Sequence, residues 1–156
     1  MLSYLLIGTG DVEFEADEIA RSAKLARECE QFGIPLIVES LARGKNMNST
    51  SPEVLKLHTR IAAELGADVI KTEYTGNPQT MADVVGTCPL PILVLGGARK
   101  NSDTEALAVL RQVLSTGVKG VFVGRNAFQS PDVVGFLHQV RLLLNPASDK
   151  VAIGKF

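Results

Sequence analysis

The sequence predicts an α/β chain of parallel strands, an incomplete TIM (β/α)8 barrel. Three observations predict it. Short apolar runs alternate with stretches of helical periodicity, strand then helix, five times in 156 residues. The strand candidates are continuous apolar runs, as expected of parallel strands covered by helices. No G-x-G-x-x-G follows the first run and no P-loop appears, while two late runs end in Gly96-Gly97 and Gly124-Arg125. Barrels commonly bind phosphate on the loops after their last strands, whereas nucleotide-binding open sheets carry the missing motifs. A closed barrel needs eight strands and typically about 250 residues. The chain is therefore expected to be part of a longer protein, to pair with another chain, or to close differently. One domain is expected over 1–145, with a patternless tail over 146–156.

Each element follows from local signals. Residues 3–7 read as the first strand, ended by Gly8-Thr9-Gly10. A helix follows over 13–32, with Ile19, Ala23, Ala26 and Cys29 at helical spacing, and Gly33 stops it where a left-handed residue is needed. Residues 35–39 form the second strand, and 43–50 a polar loop. Ser51-Pro52-Glu53 opens the next helix, a capping serine and then proline in the first turn. Its expected buried stripe is Val54, Leu57, Ile61 and Leu65, and Gly66 ends it. The third strand holds Val69-Ile70-Lys71-Thr72, and Asn77-Pro78 starts a short helix with Met81, Val84 and Val85 apolar. Residues 91–95 are the fourth strand. Ser102 and Glu105 form a capping box for a helix carrying Leu107, Leu110 and Leu114. Residues 120–123 are the last strand. Ser130-Pro131 starts the last helix, with Val134, Leu137, Val140 and Leu144 inward.

Composition narrows the function classes. The chain is 46% hydrophobic and 21% charged with a net charge of -1, which gives no support to nucleic acid or an anionic membrane as partner. Cys29 and Cys88 stand far apart and outside any Cys/His cluster. Neither a disulfide framework nor a metal site is expected, and a reducing cytoplasm is the expected location. The apolar run near the N-terminus is too short for an export signal and lacks a basic flank.

The chemistry centres on Lys71. An ammonium inside a buried strand is costly, and burial favours the neutral amine, the form that attacks carbonyls. Strand alternation puts Lys71 on one face with Val69 and Glu73, and Ile70 and Thr72 on the other. Two readings stand: an inward-facing imine lysine, or a strand-end lysine snorkelling to water. Glu73 and Glu39 are candidates for proton transfer, or are ordinary strand-end glutamates. The turns at Gly96-Gly97 and Gly124-Arg125, each followed closely by a basic residue, Arg99 in the first case, suit phosphate; the alternative is plain turns. His58 and His138 lie within helices and read as packed or solvated. There is no Ser-His-Asp signature and no metal-ligand spacing, so no cofactor is expected.

The runs Arg60-Ile61-Ala62-Ala63-Glu64-Leu65-Gly66 and Ala67-Asp68-Val69-Ile70-Lys71-Thr72, the strand ending in Gly96-Gly97, the run from Gly120 through Gly124-Arg125-Asn126 to Gln129, and Gly33-Ile34-Pro35-Leu36 together carry a resemblance. They resemble the class I, Schiff-base aldolases of the archaeal-type fructose-bisphosphate aldolase family, in the DeoC/LacD-like group. The likeness runs over about 6–144. It implies a (β/α)8 barrel of which this chain supplies strands four to eight, the first three having no counterpart. It implies that Lys71 forms an imine with a ketose phosphate, an electron sink for making or breaking a C–C bond. Gly96, Gly97, Gly124 and Arg125 would hold the phosphate. The same group includes a phospho-sugar thiolase and a transaldolase-like synthase, which these motifs do not separate. The alternative from another class is an inactive half-barrel that binds phosphorylated ligands or serves assembly. A phosphorylated sugar is the expected small-molecule partner. A homo-oligomer or a complementing barrel half is the expected protein partner, because five strands leave two raw edges and an uncovered face.

Overall fold

The protein is described here by a computed structural model, over residues 1–45 and 47–145. The expected tail over 146–156 lies outside the described residues, as does Asn46 in the polar loop. The element order is β1 (Leu2–Ile7), α1 (Val12–Gln31), β2 (Ile37–Ala42), α2 (Pro52–Glu64), β3 (Val69–Thr72), α3 (Pro78–Thr87), β4 (Ile92–Leu95), α4 (Asp103–Leu114), β5 (Gly120–Phe122), α5 (Arg125–Phe128) and α6 (Val133–Leu144). The strands form one parallel sheet in the order β1-β2-β3-β4-β5. There is no reversal of strand order, so every right-handed crossover lays its helix on the same side.

Burial follows from that one-sided cover. On the helix side Val38, Ser40, Ile70, Thr72, Ile92 and Val94 are all buried. On the other side Leu2, Tyr4 and Phe122 remain exposed, while Glu39 and Leu41 of β2 are buried. The main core lies between the sheet and helices α1 to α4, and a smaller cluster joins α4 to α6 through Leu110 and Phe136. No described helix is long and apolar enough to cross a membrane.

The helix ends largely obey their local signals. Gly33 and Gly66 take positive φ of 63° and 97°. Ser102 Oγ accepts from Glu105 N at 3.1 Å, but the Glu105 carboxylate accepts from Asn101 N, one residue before the reciprocal partner of a capping box. Ser51 makes no side-chain cap, so Pro52 alone marks that start. The last helix begins later than expected. Asp132 caps it, accepting from Gly135 N at 2.9 Å, and the short α5 precedes it. Strand β2 runs on to Ala42, beyond the expected 39, because all six of its residues pair with β1.

Two helices, α2 and α6, are rotated from the face their apolar spacing indicates, and α1 departs from it in part. In α2 the buried residues are Leu55, His58, Thr59 and Ala62, while Leu57 is 57% exposed. The cause is polar. Ser40 Oγ lies 2.9 Å from His58 Nδ1 and donates to His58 O, also at 2.9 Å. One hydroxyl proton serves only one acceptor, so Nδ1 carries its own proton and donates to Oγ. A histidine thus takes the sheet-facing position that the pattern assigned to leucine. In α1 Ala26 and Cys29 are buried as expected, but Ser22 is buried and Ile19 exposed in its first half; in α6 Phe136 and Val140 are buried, and Val134, Leu137 and Leu144 are exposed.

The buried imidazole makes stability pH-dependent. Burial pushes His58 from its ordinary value near 6.5 to about 4; the Glu73 carboxylate opposes this and Arg43 adds to it. The unfolded chain takes up the proton below about pH 6.5, and the folded chain does so only near 4. Stability is therefore full above 6.5 and falls by roughly 3 kcal/mol as the pH drops to 4. Urea unfolding at pH 7.5 and 4.5 should show this loss, and His58→Gln should flatten it. An equal loss in both proteins would rule out His58 as the source.

Candidate active site

Lys71 sits third in β3, opposite Glu39 of β2 and Leu93 of β4 in the pairing register. Its side chain leaves the sheet on the face away from the helices, as strand alternation predicts. There Lys71 Nζ donates to Glu39 Oε2 at 2.5 Å, with the two side chains 11% and 8% exposed. The Phe122 ring lies over the amine, 4.6 Å from Nζ to its centroid. A carboxylate and a π face both contact it.

Glu73 lines the same cavity as Lys71 but pairs with an arginine rather than with the lysine. Its carboxylate receives Arg43 Nη1 at 2.9 Å and Nη2 at 3.3 Å, and Arg43 Nη1 also donates to Ala42 O at 2.8 Å. Glu39 rather than Glu73 is the carboxylate on the lysine. Both line the cavity in front of Lys71, a space of about 690 Å3 that also meets Gly96, Gly97, Lys100, Gly124 and Arg125.

The two glycine turns divide their tasks. Gly96 serves the sheet: its N–H donates to Phe122 O at 2.7 Å, and a Cβ there would lie 2.8 Å from that oxygen. Gly97 has φ of +69°, the left-handed region where glycine is favoured. Asn126, 3% exposed, ties the turns together. Its Nδ2 donates to Gly96 O and Ala98 O at 3.0 Å each, and its Oδ1 accepts from Lys100 N at 2.8 Å.

Arg99 turns away from the cavity. Its guanidinium pairs with Asp103 Oδ1 at 2.7 Å and donates to Asn126 O at 3.4 Å. The Ser130 hydroxyl, and after it Arg99, hold the Asp103 carboxyl below its ordinary range. Lys100 takes the cavity wall instead. Tyr74 lines the same cavity with its hydroxyl buried and unpartnered, and burial raises its pKa. Sequence reasoning missed Phe122, Lys100, Asn126 and Tyr74 as site residues. Phe122 was legible in part, since it shares strand parity with Gly120, which lies level with Lys71 through Leu93.

Comparison with known proteins identifies the family. Residues 4–130 match the family described as DeoC/LacD family aldolase. An uncharacterised aldolase of Saccharolobus solfataricus is 38% identical over 134 residues, 85% of this chain and 49% of that protein. A class 1 fructose-bisphosphate aldolase of Thermoproteus tenax is 38% identical over 125 residues, 79% of this chain and 48% of that one. A solved Schiff-base-forming fructose-1,6-bisphosphate aldolase superposes with a TM-score of 0.82 at 36% identity, covering 91% of this chain and 57% of that one. The chain spans about half the length of the curated relatives it matches. With 127 of its residues inside the family match, this chain belongs to the DeoC/LacD family of aldolases.

Proposed function

We propose that the chain is the lysine-bearing part of a class I aldolase that makes or breaks a C–C bond of a ketose phosphate. One observation carries this reading: an amine on the open sheet face, against a carboxylate, at a cavity rimmed by two glycine turns and an arginine. To attack the substrate carbonyl the amine must first lose a proton, and Glu39 is the group within reach to take it. Attack gives a carbinolamine, and Glu39 returns the proton as its hydroxyl leaves as water. The resulting iminium accepts the electron pair of the breaking C–C bond, while a base removes the proton of the departing fragment's hydroxyl. Protonation of the enamine and hydrolysis then restore the amine. The Gly97 and Gly124 turns and Arg125 hold the phosphate, and Gly96 shapes the turn.

The reading takes the five strands as strands four to eight of an eight-stranded barrel. The near-half coverage of the relatives and the superposition on 57% of a Schiff-base aldolase support it. It also implies that β1 and β5, the two edges, meet further strands from a longer chain or a partner. Borohydride reduction with dihydroxyacetone phosphate or fructose 1,6-bisphosphate tests the chemistry. The expected result is one mass adduct, mapped to Lys71 by peptide sequencing. No adduct with either compound would favour a binding half-barrel.

A further inference from the structure

The charges around the cavity do not cancel. Three acidic side chains have close basic partners: Glu39 has Lys71, Glu73 has Arg43 and Asp103 has Arg99. Lys100 and Arg125 also line the cavity, and neither side chain has an ion pair or hydrogen bond among the described residues. Lys100 is half-buried, so water covers only part of it. A partly buried ammonium without a counter-ion is costly unless a guest supplies one.

The backbone of Lys100 is held, not loose. Its N–H bonds to the buried Asn126 side chain, which also grips the carbonyls of Gly96 and Ala98. One amide therefore fixes Lys100 relative to both glycine turns. The neighbouring Arg99 cannot substitute, because Asp103 at the start of α4 holds it. Lys100 also borders a void of about 30 Å3 next to the cavity, shared with Tyr74 and Asn126. The unpartnered Tyr74 hydroxyl there is a second polar group without a protein partner.

We infer that Lys100 is the second cation of the phosphate site, beside Arg125 in the same cavity lining, and that Asn126 is its positioning residue. This rests on the reading of the cavity as a sugar-phosphate site. A phosphate monoester carries about −1.5 to −2 charge near pH 7, which two cations match and one does not. The pair thus selects a phosphorylated sugar over the same sugar without its phosphate.

Calorimetric titration with inorganic phosphate tests this without needing the imine. Lys100→Met should weaken phosphate binding about 10- to 100-fold, the worth of one charge-assisted hydrogen bond. Lys100→Arg should recover most of it, and Arg99→Met should lose little. No binding to the wild type at about 10 mM, roughly tenfold above a millimolar Kd, or equal binding in Lys100→Met, would overturn the inference. A loss in Arg99→Met with none in Lys100→Met would do the same. If phosphate binds through Lys100 but borohydride traps no adduct, the inference holds and the aldolase reading fails. If the adduct forms and Lys100→Met binds normally, only the inference fails.

Discussion

Lys71→Arg should abolish the borohydride-trapped adduct and lower turnover by at least about 1,000-fold, as loss of a covalent nucleophile does. Arginine is the informative replacement. It keeps a positive charge opposite Glu39, so the 2.5 Å ion pair is answered by another cation. Alanine would leave the Glu39 carboxylate buried and unpaired, which typically costs about 3–5 kcal/mol and confuses inactivity with unfolding. A guanidinium stays protonated and cannot form the imine. Unchanged trapping or turnover in Lys71→Arg would remove Lys71 from the chemistry.

Glu39→Gln should produce the second-largest change. An amide still accepts a hydrogen bond from the ammonium but cannot take its proton, so turnover should fall about 100- to 10,000-fold. Adduct formation should slow in parallel, because carbinolamine dehydration needs the same group. Glu39→Leu should add a stability loss of about 3–5 kcal/mol, read by urea unfolding, because the Lys71 amine loses its paired carboxylate. Glu73→Gln is the contrast. Its Arg43 partner is 46% exposed, so that change should cost under about 1 kcal/mol. A larger activity loss from Glu73→Gln than from Glu39→Gln would reverse the assignment.

Much of this was readable from residues alone, for identifiable reasons. Lysine within an apolar run stands out, and the period of two sets its face. Continuous apolar strands between helices indicate parallel pairing, and their sequential order follows from short connections. What escaped depends on contacts between distant residues. Glu39 and Lys71 are 32 positions apart, and only the register of β2 on β3 makes them neighbours. The rotation of α2 is set by Ser40 beneath it, which apolar spacing cannot register. The choice of Lys100 over Arg99 is made by Asp103, four residues after Arg99 on the next helix. Each is a polar interaction that hydrophobic spacing does not report.

The register has one more consequence. Tyr4, Glu39, Lys71, Leu93 and Gly120 pair in succession across all five strands, forming a straight row at a single depth. Every slot in that row shares one face of the sheet, and Glu39 and Lys71 open on the cavity, so the chemistry of the row can be rewritten by exchanging side chains while the backbone stays put. One slot is vacant. A Cβ at Gly120 would meet only the tip of Leu93, at 3.0 Å, a flexible neighbour that needs to yield a few tenths of an ångström. A short acidic side chain placed there would add a titratable group level with the Lys71 amine, a natural starting point for redesigning the proton chemistry proposed for it.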